Sequence, residues 1–346
     1  MARTSFGYVN TAVDPLSALE FGVHAEKCYF DIVWVPDHLA DVDGDRVDPW
    51  TILAAISTQT RRIKLASSVT DTQRIHPAKT AQMVTCLDVI SRGRAILGIG
   101  AGEAMNIVPF GLPWEAPSLR VERLAEAVQV IRALWLSARD KPVRFNGQFY
   151  KLENAFLTQM PKQRPTPPIY VGVFASKRGL EVAGRYGDGW HSWLNTPDLF
   201  RKRWTMVKQA AEAAGRSAQL HNTSHLMVAF PRNSEEKKNA MIAGKATLIM
   251  EKALLKSLGH APETTDYQNL VTCSQEQVNI ILHAAETVPD EIIYRTAAIG
   301  EIEDAKVRIE ELRRAGVKHI AVLDLLAPRG VRRTLTLFRK IIRDYE

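Results

Sequence analysis

Short unbroken apolar runs alternate along the whole chain with longer stretches in which apolar residues recur every three or four positions. The first pattern predicts strands covered on both faces, the second amphipathic helices. TSFGYVN precedes the helical DPLSALEFGVHAEKCY. FDIVWVPD precedes PWTILAAISTQT, where Asp48 falls at an N-cap and Pro49 at the first helical position. RIKLASSVT precedes HPAKTAQMVTCLDVIS, with Pro77 again in the first turn. RAILGIGAG precedes SLRVERLAEAVQVIRALWLS, whose Leu124, Val128, Ile131 and Leu134 share one face. PIYVGVF, DGWHSWL, HLMVAF and HIAVLDLL are each followed by helix in the same way.

Eight strand–helix units predict an α/β fold, a (β/α)8 TIM barrel, with a doubly wound open sheet as the alternative. Two segments break the rhythm. KPVRFNGQFYKLENAFL, residues 141–157, predicts a hairpin closed by Asn146-Gly147, inserted between the fourth helix and the fifth strand. Residues 234–300 predict an extra helical excursion. The chain then resumes with a helix whose face is Ile302, Ala305, Ile309 and Leu312, and which Gly316 closes. With no linker visible, residues 1–346 predict a single domain.

Composition changes this picture little. The 346 residues are 46% hydrophobic and 24% charged, an ordinary globular balance. No apolar run approaches the roughly 18 residues that a membrane span needs. The first ten residues carry no signal-peptide apolar region, and Cys28, Cys86 and Cys273 are far apart with no metal-ligand spacing. These features predict a cytoplasmic protein with reduced thiols and no metal. The net charge of +7 prompts a check for nucleic acid, but the cations are scattered. Those near the C-terminus interleave with Val331, Leu335, Phe338 and Ile341 at helical spacing, which makes them the solvated face of the last helix. No nucleic-acid partner is expected, and a basic protein suits a small anionic ligand.

In such a barrel function gathers where strands end and helices begin. Strand 2 ends at Asp37-His38, strand 3 at Ser68-Val69-Thr70-Asp71, and strand 4 at Glu103-Ala104-Met105-Asn106. Strand 5 ends at Ser176-Lys177-Arg178-Gly179, and strand 6 at His191-Ser192-Trp193. Taken singly, His38 reads as a histidine bonded to a neighbouring loop, Glu103 as a helix-capping carboxylate and Asp37 as a turn residue. Their common rim makes His38 and Glu103 an acid–base pair instead. The GxGxG run from Gly98 to Gly102 is not a dinucleotide fingerprint; it lets the backbone at Ala101 and Gly102 approach a flat ring. Ser176 to Gly179, small and basic at a helix start, read equally as an anion cradle or as a solvated basic first turn. There is no HExxH, GxSxG or P-loop.

WVPDHL, SSVTDTQRIHPAKTAQ, RGRAILGIGAGEAMNIVPFG, FNGQFYKLENAFL, PIYVGVFASKRGLEVAGRYGDGW and AGVKHIAVLD together resemble the luciferase-like flavin and deazaflavin oxidoreductases. The resemblance spans essentially the whole chain and is strongest to the coenzyme F420-dependent branch. That branch holds secondary alcohol and glucose-6-phosphate dehydrogenases, ketoreductases and methylenetetrahydromethanopterin reductase. It implies that His38 lies beside the deazaflavin C5 and the substrate oxygen, and that Asp37 and Thr70 contact the ring system. Glu103 serves acid–base chemistry or substrate orientation. Ser68 and Val69 form a bulge behind the ring, joined by a non-prolyl cis peptide, and Ser176, Lys177, Arg178 and Gly179 bind phosphate. The implied reaction is hydride transfer between F420 and an alcohol or ketone. The alternatives are methylenetetrahydromethanopterin reduction, an FMN-dependent monooxygenase and a non-catalytic flavin-binding protein. A homodimer acting on a small molecule is expected. One departure stands out: relatives often carry tryptophan four residues after the histidine, where this chain has Val42.

Overall fold

The computed structural model describes residues 3–42, 46–216, 220–261 and 273–345. Eight parallel strands run in chain order: β1 (Ser5–Val9), β2 (Ile32–Val35), β3 (Lys64–Ser67), β4 (Ala95–Gly100), β5 (Ile169–Gly172), β6 (Gly189–Leu194), β7 (His221–Ala229) and β8 (His319–Asp324). Each neighbours the next, β8 pairs with β1, and β6 pairs with β7, so the sheet closes on itself. The fold is a (β/α)8 barrel, and the open-sheet alternative is excluded by that closure.

Helices α1 (Pro15–Lys27), α2 (Pro49–Gln59), α3 (Pro77–Ile90), α4 (Pro117–Trp135), α5 (Lys177–Tyr186) and α6 (Pro197–Ala213) follow the first six strands. After β7 come α7 (Ser234–Ile249), α8 (Lys252–Ser257), α9 (Gln275–Glu286), α10 (Asp290–Thr296) and α11 (Ile302–Arg314), and α12 (Val331–Arg343) follows β8. The punctuation read from sequence holds in detail. Asp48 accepts the Thr51 amide at 2.7 Å in front of Pro49, and His76 caps α3 in front of Pro77. Leu124, Val128, Ile131 and Leu134 are all buried, as are Val331, Leu335, Phe338 and Ile341, while Arg332, Arg333, Arg339, Lys340 and Arg343 line the exposed face of α12.

Side chains alternate across the strands. Phe6, Tyr8, Val33 and Val35 join the layer under the helices, while Val9, Ile32, Trp34, Ala66, Ile96, Tyr170 and Ala321 fill the barrel. Complete burial of such side chains contributes roughly 1.5–3 kcal/mol each. Trp34 occupies the barrel centre only because β1 presents Gly7 there; a Cβ at that position would lie 2.5 Å from the indole nitrogen.

The hairpin exists, as Val143–Asn146 against Lys151–Ala155, but its closure differs from expectation. Asn146 pairs with Lys151, so residues 147–150 form the loop rather than an Asn-Gly turn. Glu126 on α4 supplies the reason, since its carboxylate accepts the amides of Gln148, Phe149 and Tyr150. Two short strands went unread: Thr70–Asp71 beside β4 and Ala297–Ile299 beside β7. Helices α7 to α10 bear out the excursion, whose residues 262–272 lie outside the described residues. They bury Leu248, Ile249, Leu254, Leu255 and Ile293 in a second apolar cluster that also takes in Val42, Trp193 and Leu325. Those last three follow or end strands, so the excursion roofs the C-terminal face of the barrel. Among the described residues no helix is long and apolar enough to cross a membrane.

Candidate active site

His38 leaves the end of β2 and Glu103 the end of β4, and one side chain brings them together. Asn106, in the 3-10 turn Ala104–Asn106, accepts the amides of Leu39 and Ala40 at 2.7 and 3.1 Å, tying the two loops. Glu103 stands at the N-cap of that turn but makes no capping hydrogen bond, so its carboxylate is available for other work. Its Oε2 lies 3.3 Å from His38 Nε2. That is ion-pair range without hydrogen-bond alignment, and the oxygen is buried with no donor. Asp41 Oδ2 holds the opposite ring nitrogen, Nδ1, at 2.7 Å, and Arg46 backs Asp41 at 3.1 Å.

Burial alone would discharge His38. The charge of Glu103 and the bond and charge of Asp41 outweigh it, raising the imidazole to about 9. Burial likewise opposes the Asp41 anion, yet His38 and Arg46 hold it down at about 2. His38 is therefore an imidazolium at neutral pH, with its Nε2 edge beside the Glu103 carboxylate but not hydrogen-bonded to it.

Asp37 is buried among polar partners. Thr70 Oγ1 donates to it through a short bond, and Arg74 pairs with its other oxygen at 3.0 Å while reaching the Asp37 carbonyl at 2.6 Å. Burial raises the Asp37 carboxyl against the pull of Arg74 and Thr70. Arg74 also binds Asp71, so one guanidinium clamps the ends of β2 and β3.

Ser68–Val69 is a cis peptide, and the Val69 methyls lie against Gly100 and Gly172. Glycines make room for it: a Cβ on Gly100 or Gly172 would come within 2.8 or 2.9 Å of the Val69 methyls. A Cβ on Gly98 would strike the Ser67 carbonyl at 2.0 Å. Beneath the bulge, Ser68 Oγ meets His191 Nε2 at 2.9 Å, and Thr223 Oγ1 meets Nδ1 of the same ring at 2.8 Å. The Ala101 carbonyl accepts from Gln73 at 2.9 Å, and Gly102 takes a φ of +86° that a side chain would resist.

At the start of α5, Ser176 caps the helix by accepting the Gly179 amide at 3.1 Å. Arg178 is drawn aside to Glu122 on α4 at 3.1 Å. Among the described residues no hydrogen bond or ion pair joins this patch to the His38 group. The structure brings together His38 and Glu103, both expected on one rim, and Asn106, expected there without a role; Asp41 and Arg74, which hold them or their neighbours, were not singled out. The spacing of Asp41, three residues after His38, was the one available signal.

The fold is that of a barrel enzyme, with this candidate site at the C-terminal ends of its strands. The chain belongs to the luciferase-like monooxygenase family, whose model matches residues 3–319. It is 29% identical over 317 residues, 88% of each chain, to 5,10-methylenetetrahydromethanopterin reductase of Archaeoglobus fulgidus. It is 37% identical over 207 residues, 57% of this chain and 59% of the relative, to F420-dependent glucose-6-phosphate dehydrogenase of Microbacterium testaceum. An F420-dependent secondary alcohol dehydrogenase, solved with an F420–acetone adduct, superposes over the full length of both chains with a TM-score of 0.83 and 25% identity.

Proposed function

We propose that this protein transfers a hydride between coenzyme F420 and a neutral alcohol or ketone, with His38 as the proton donor to the substrate oxygen. The chain is an F420-dependent oxidoreductase in the line of its relatives; the substrate class rests on the site. The observation that carries it is the cationic His38, held between Asp41 and Glu103 beside an oxygen, Glu103 Oε2, that is buried without a donor.

The residues fit the cofactor. The Val69 bulge and the glycines behind it form a smooth wall for a flat ring, Ala101 and Gly102 offer bare backbone, and Asp37 keeps Thr70 in place at the edge. Ser176, Lys177, Arg178 and Gly179 would hold the phosphate of the side chain, through amides, helix dipole and charge. When bound, F420 supplies or accepts the hydride at C5. In ketone reduction His38 gives its Nε2 proton to the developing alkoxide, while Asp41 stabilises the imidazolium beforehand and fixes the ring. Glu103 Oε2, an acceptor without a donor of its own, orients the alcohol form of the substrate by accepting a hydrogen bond from its hydroxyl. A proton held at about 9 favours reduction at neutral pH, because the ring enters the reaction already charged.

Titration tests this reading. The protein binds F420 at micromolar affinity or better, with reduced F420 oxidised by at least one ketone of a panel. Tight FMN binding with F420 excluded, together with NADH-driven oxygen consumption, would place the chain with the monooxygenases. Turnover confined to a methylene-pterin would keep the cofactor and replace the substrate.

A further inference from the structure

The segment that carries Val69 lies outside the ladder beside it. Leu65 and Ala66 of β3 pair with Ala95 and Ile96 of β4, and the pairing resumes with Thr70 opposite Ile99. Three residues on one side therefore face two on the other, a bulge that takes Ser67, Ser68 and Val69 out of the β4 register. Side chains take over there. Ser67 Oγ donates to the Gly98 carbonyl at 2.8 Å and accepts its amide at 3.2 Å. Ser68 donates its amide to the Val35 carbonyl at 2.8 Å and turns its hydroxyl into the barrel, to His191 Nε2 at 2.9 Å.

His191 stands on β6, three strands further round the sheet, so this bond crosses the barrel interior. Its ring is itself fixed. Thr223 Oγ1 of β7 meets Nδ1 at 2.8 Å, Trp34 stacks on the ring with centroids 4.1 Å apart, and His225 meets it edge-on at 4.8 Å. Trp34 is pinned in turn, its indole N–H donating to His319 Nε2 at 3.0 Å. Burial keeps the His191 imidazole uncharged, so one nitrogen donates and the other accepts, and a hydroxyl answers either. Val9, Ile32, Ala66, Ile96 and Ala321 make the layer around it largely apolar. What an imidazole adds to such a layer is direction: a bond from the rigid interior to the residue next to Val69.

We propose that His191 is a positioning residue for hydride transfer: by holding Ser68 it sets where the Val69 wall stands, and so where the ring of F420 rests relative to a substrate at His38. This rests on the reading of Val69 as the wall behind the cofactor. Contact with the β4 and β5 backbones limits the wall on one side, since a Cβ on Gly100 or Gly172 would come within 2.8 or 2.9 Å of the Val69 methyls. The Ser68–His191 bond is the polar tether beneath. Cutting it leaves the wall in place but free to shift, and a misplacement of about 1 Å between reacting groups is enough to cost about 10²-fold in rate.

The test compares the wild type with His191→Leu, His191→Gln, Ser68→Ala and the Ser68→Ala/His191→Leu double variant, each as the full chain. Without cofactor, hydrogen exchange in a peptide covering residues 65–72 rises about tenfold in His191→Leu and in Ser68→Ala, while a peptide covering 331–343 exchanges as in the wild type. With F420 added, the absorbance band of the bound cofactor moves from its wild-type position in both variants, and affinity falls a few-fold. With saturating reduced F420 and acetone, or the ketone the panel above returns, kcat falls about tenfold or more and the ketone KM stays within a few-fold. His191→Gln, whose amide extends towards Ser68, restores most of each loss. The double variant is no worse than the worse single variant, because one tether is cut only once. Ser68→Ala removes the same bond from its other end, so the outcome does not depend on the leucine variant folding. Wild-type exchange and an unmoved F420 band in Ser68→Ala, or losses that add in the double variant, overturn this inference and leave ketone reduction standing. A wild type that binds F420 but reduces no ketone overturns the substrate reading, and the exchange and absorbance results still decide the role of His191.

Discussion

One half-buried histidine and a set of buried ones sit within one barrel and are held in opposite charge states. His38, at the strand ends, has a carboxylate on each side and is raised to about 9. His191, His225 and His319 line the interior beneath. Burial drives His191 far down, helped by the neighbouring His225 and His319. Burial likewise takes His225 to about 4 and, with Lys64 adding to it, His319 to about 3. The partners explain the difference. His319 accepts the Trp34 indole N–H at 3.0 Å on Nε2, so its Nδ1–H points to Ser5 Oγ at 2.7 Å. His225 faces the Ser192 carbonyl with Nδ1 at 2.9 Å, which makes that nitrogen the donor and leaves Nε2 a bare acceptor, buried without a partner. Hydroxyls, carbonyls and an indole satisfy a neutral ring; only carboxylates outweigh the cost of burying a charged one. Burial sets the stakes, and the partner sets the charge.

The sharpest way to break this comparison is to remove the charged pair itself. His38→Ala and Glu103→Gln are each expected to lower turnover by about 10²-fold or more, the scale of losing an acid–base group, with F420 affinity changed much less. Steady-state rates beside a fluorescence titration of F420 check this, and near-wild-type turnover in both variants would return the two residues to purely structural roles.

Asp41→Asn comes next. It removes the anion from Nδ1 and leaves Glu103 in place, so the His38 ionisation should move down towards its ordinary value and turnover drop by about tenfold. The alkaline limb of the pH–rate profile should move down accordingly. An unmoved limb would show that Asp41 does not hold the charge of His38.

The interior set is tested through stability. His191→Leu strands the hydroxyls of Ser68 and Thr223, at a cost of about 1–3 kcal/mol in chemical denaturation. The pH dependence should also split by region. The interior histidines have lowered values, so their contribution is present above about 6.5 and fades as pH falls towards about 4 and about 3. His38 is raised, so its contribution is complete below 6.5 and is lost as pH rises through about 9. His38→Ala should flatten the alkaline side of the Tm–pH curve, and His225→Phe part of the acid side. The reverse assignment would undo the comparison.

The smallest effects belong to the proposed phosphate site at the start of α5. Lys177→Ala should weaken F420 binding only a few-fold and Arg178→Ala less, since Arg178 already pairs with Glu122 on the surface. Raising salt should weaken binding in the wild type as well, as expected for an anionic ligand and a chain of net charge +7.

Much of this is legible in the sequence alone. Uninterrupted apolar strands and proline-marked helix starts gave the barrel, and the barrel's geometry alone placed His38 and Glu103 on one rim although 65 positions separate them in the chain. The same rule could not reveal how they are held. Asn106 acts through two backbone amides, which no side-chain pattern announces. Arg74 and Asp41 look like ordinary loop polarity until Asp37 and His38 stand beside them. The hairpin loop failed for a similar reason, since its shape answers to Glu126 on another helix rather than to Asn146-Gly147.

The measurement closest to the centre of this account is an NMR titration of the imidazole nitrogens in the intact protein. It needs neither cofactor nor substrate. The account predicts that at neutral pH His38 carries protons on both ring nitrogens and loses one near about 9, while His225 and His319 each carry a single proton down to about 4 and about 3. A His38 that titrates near its ordinary value of 6.5 would contradict it. The ring would then enter the reaction uncharged, with no proton held ready for the substrate oxygen.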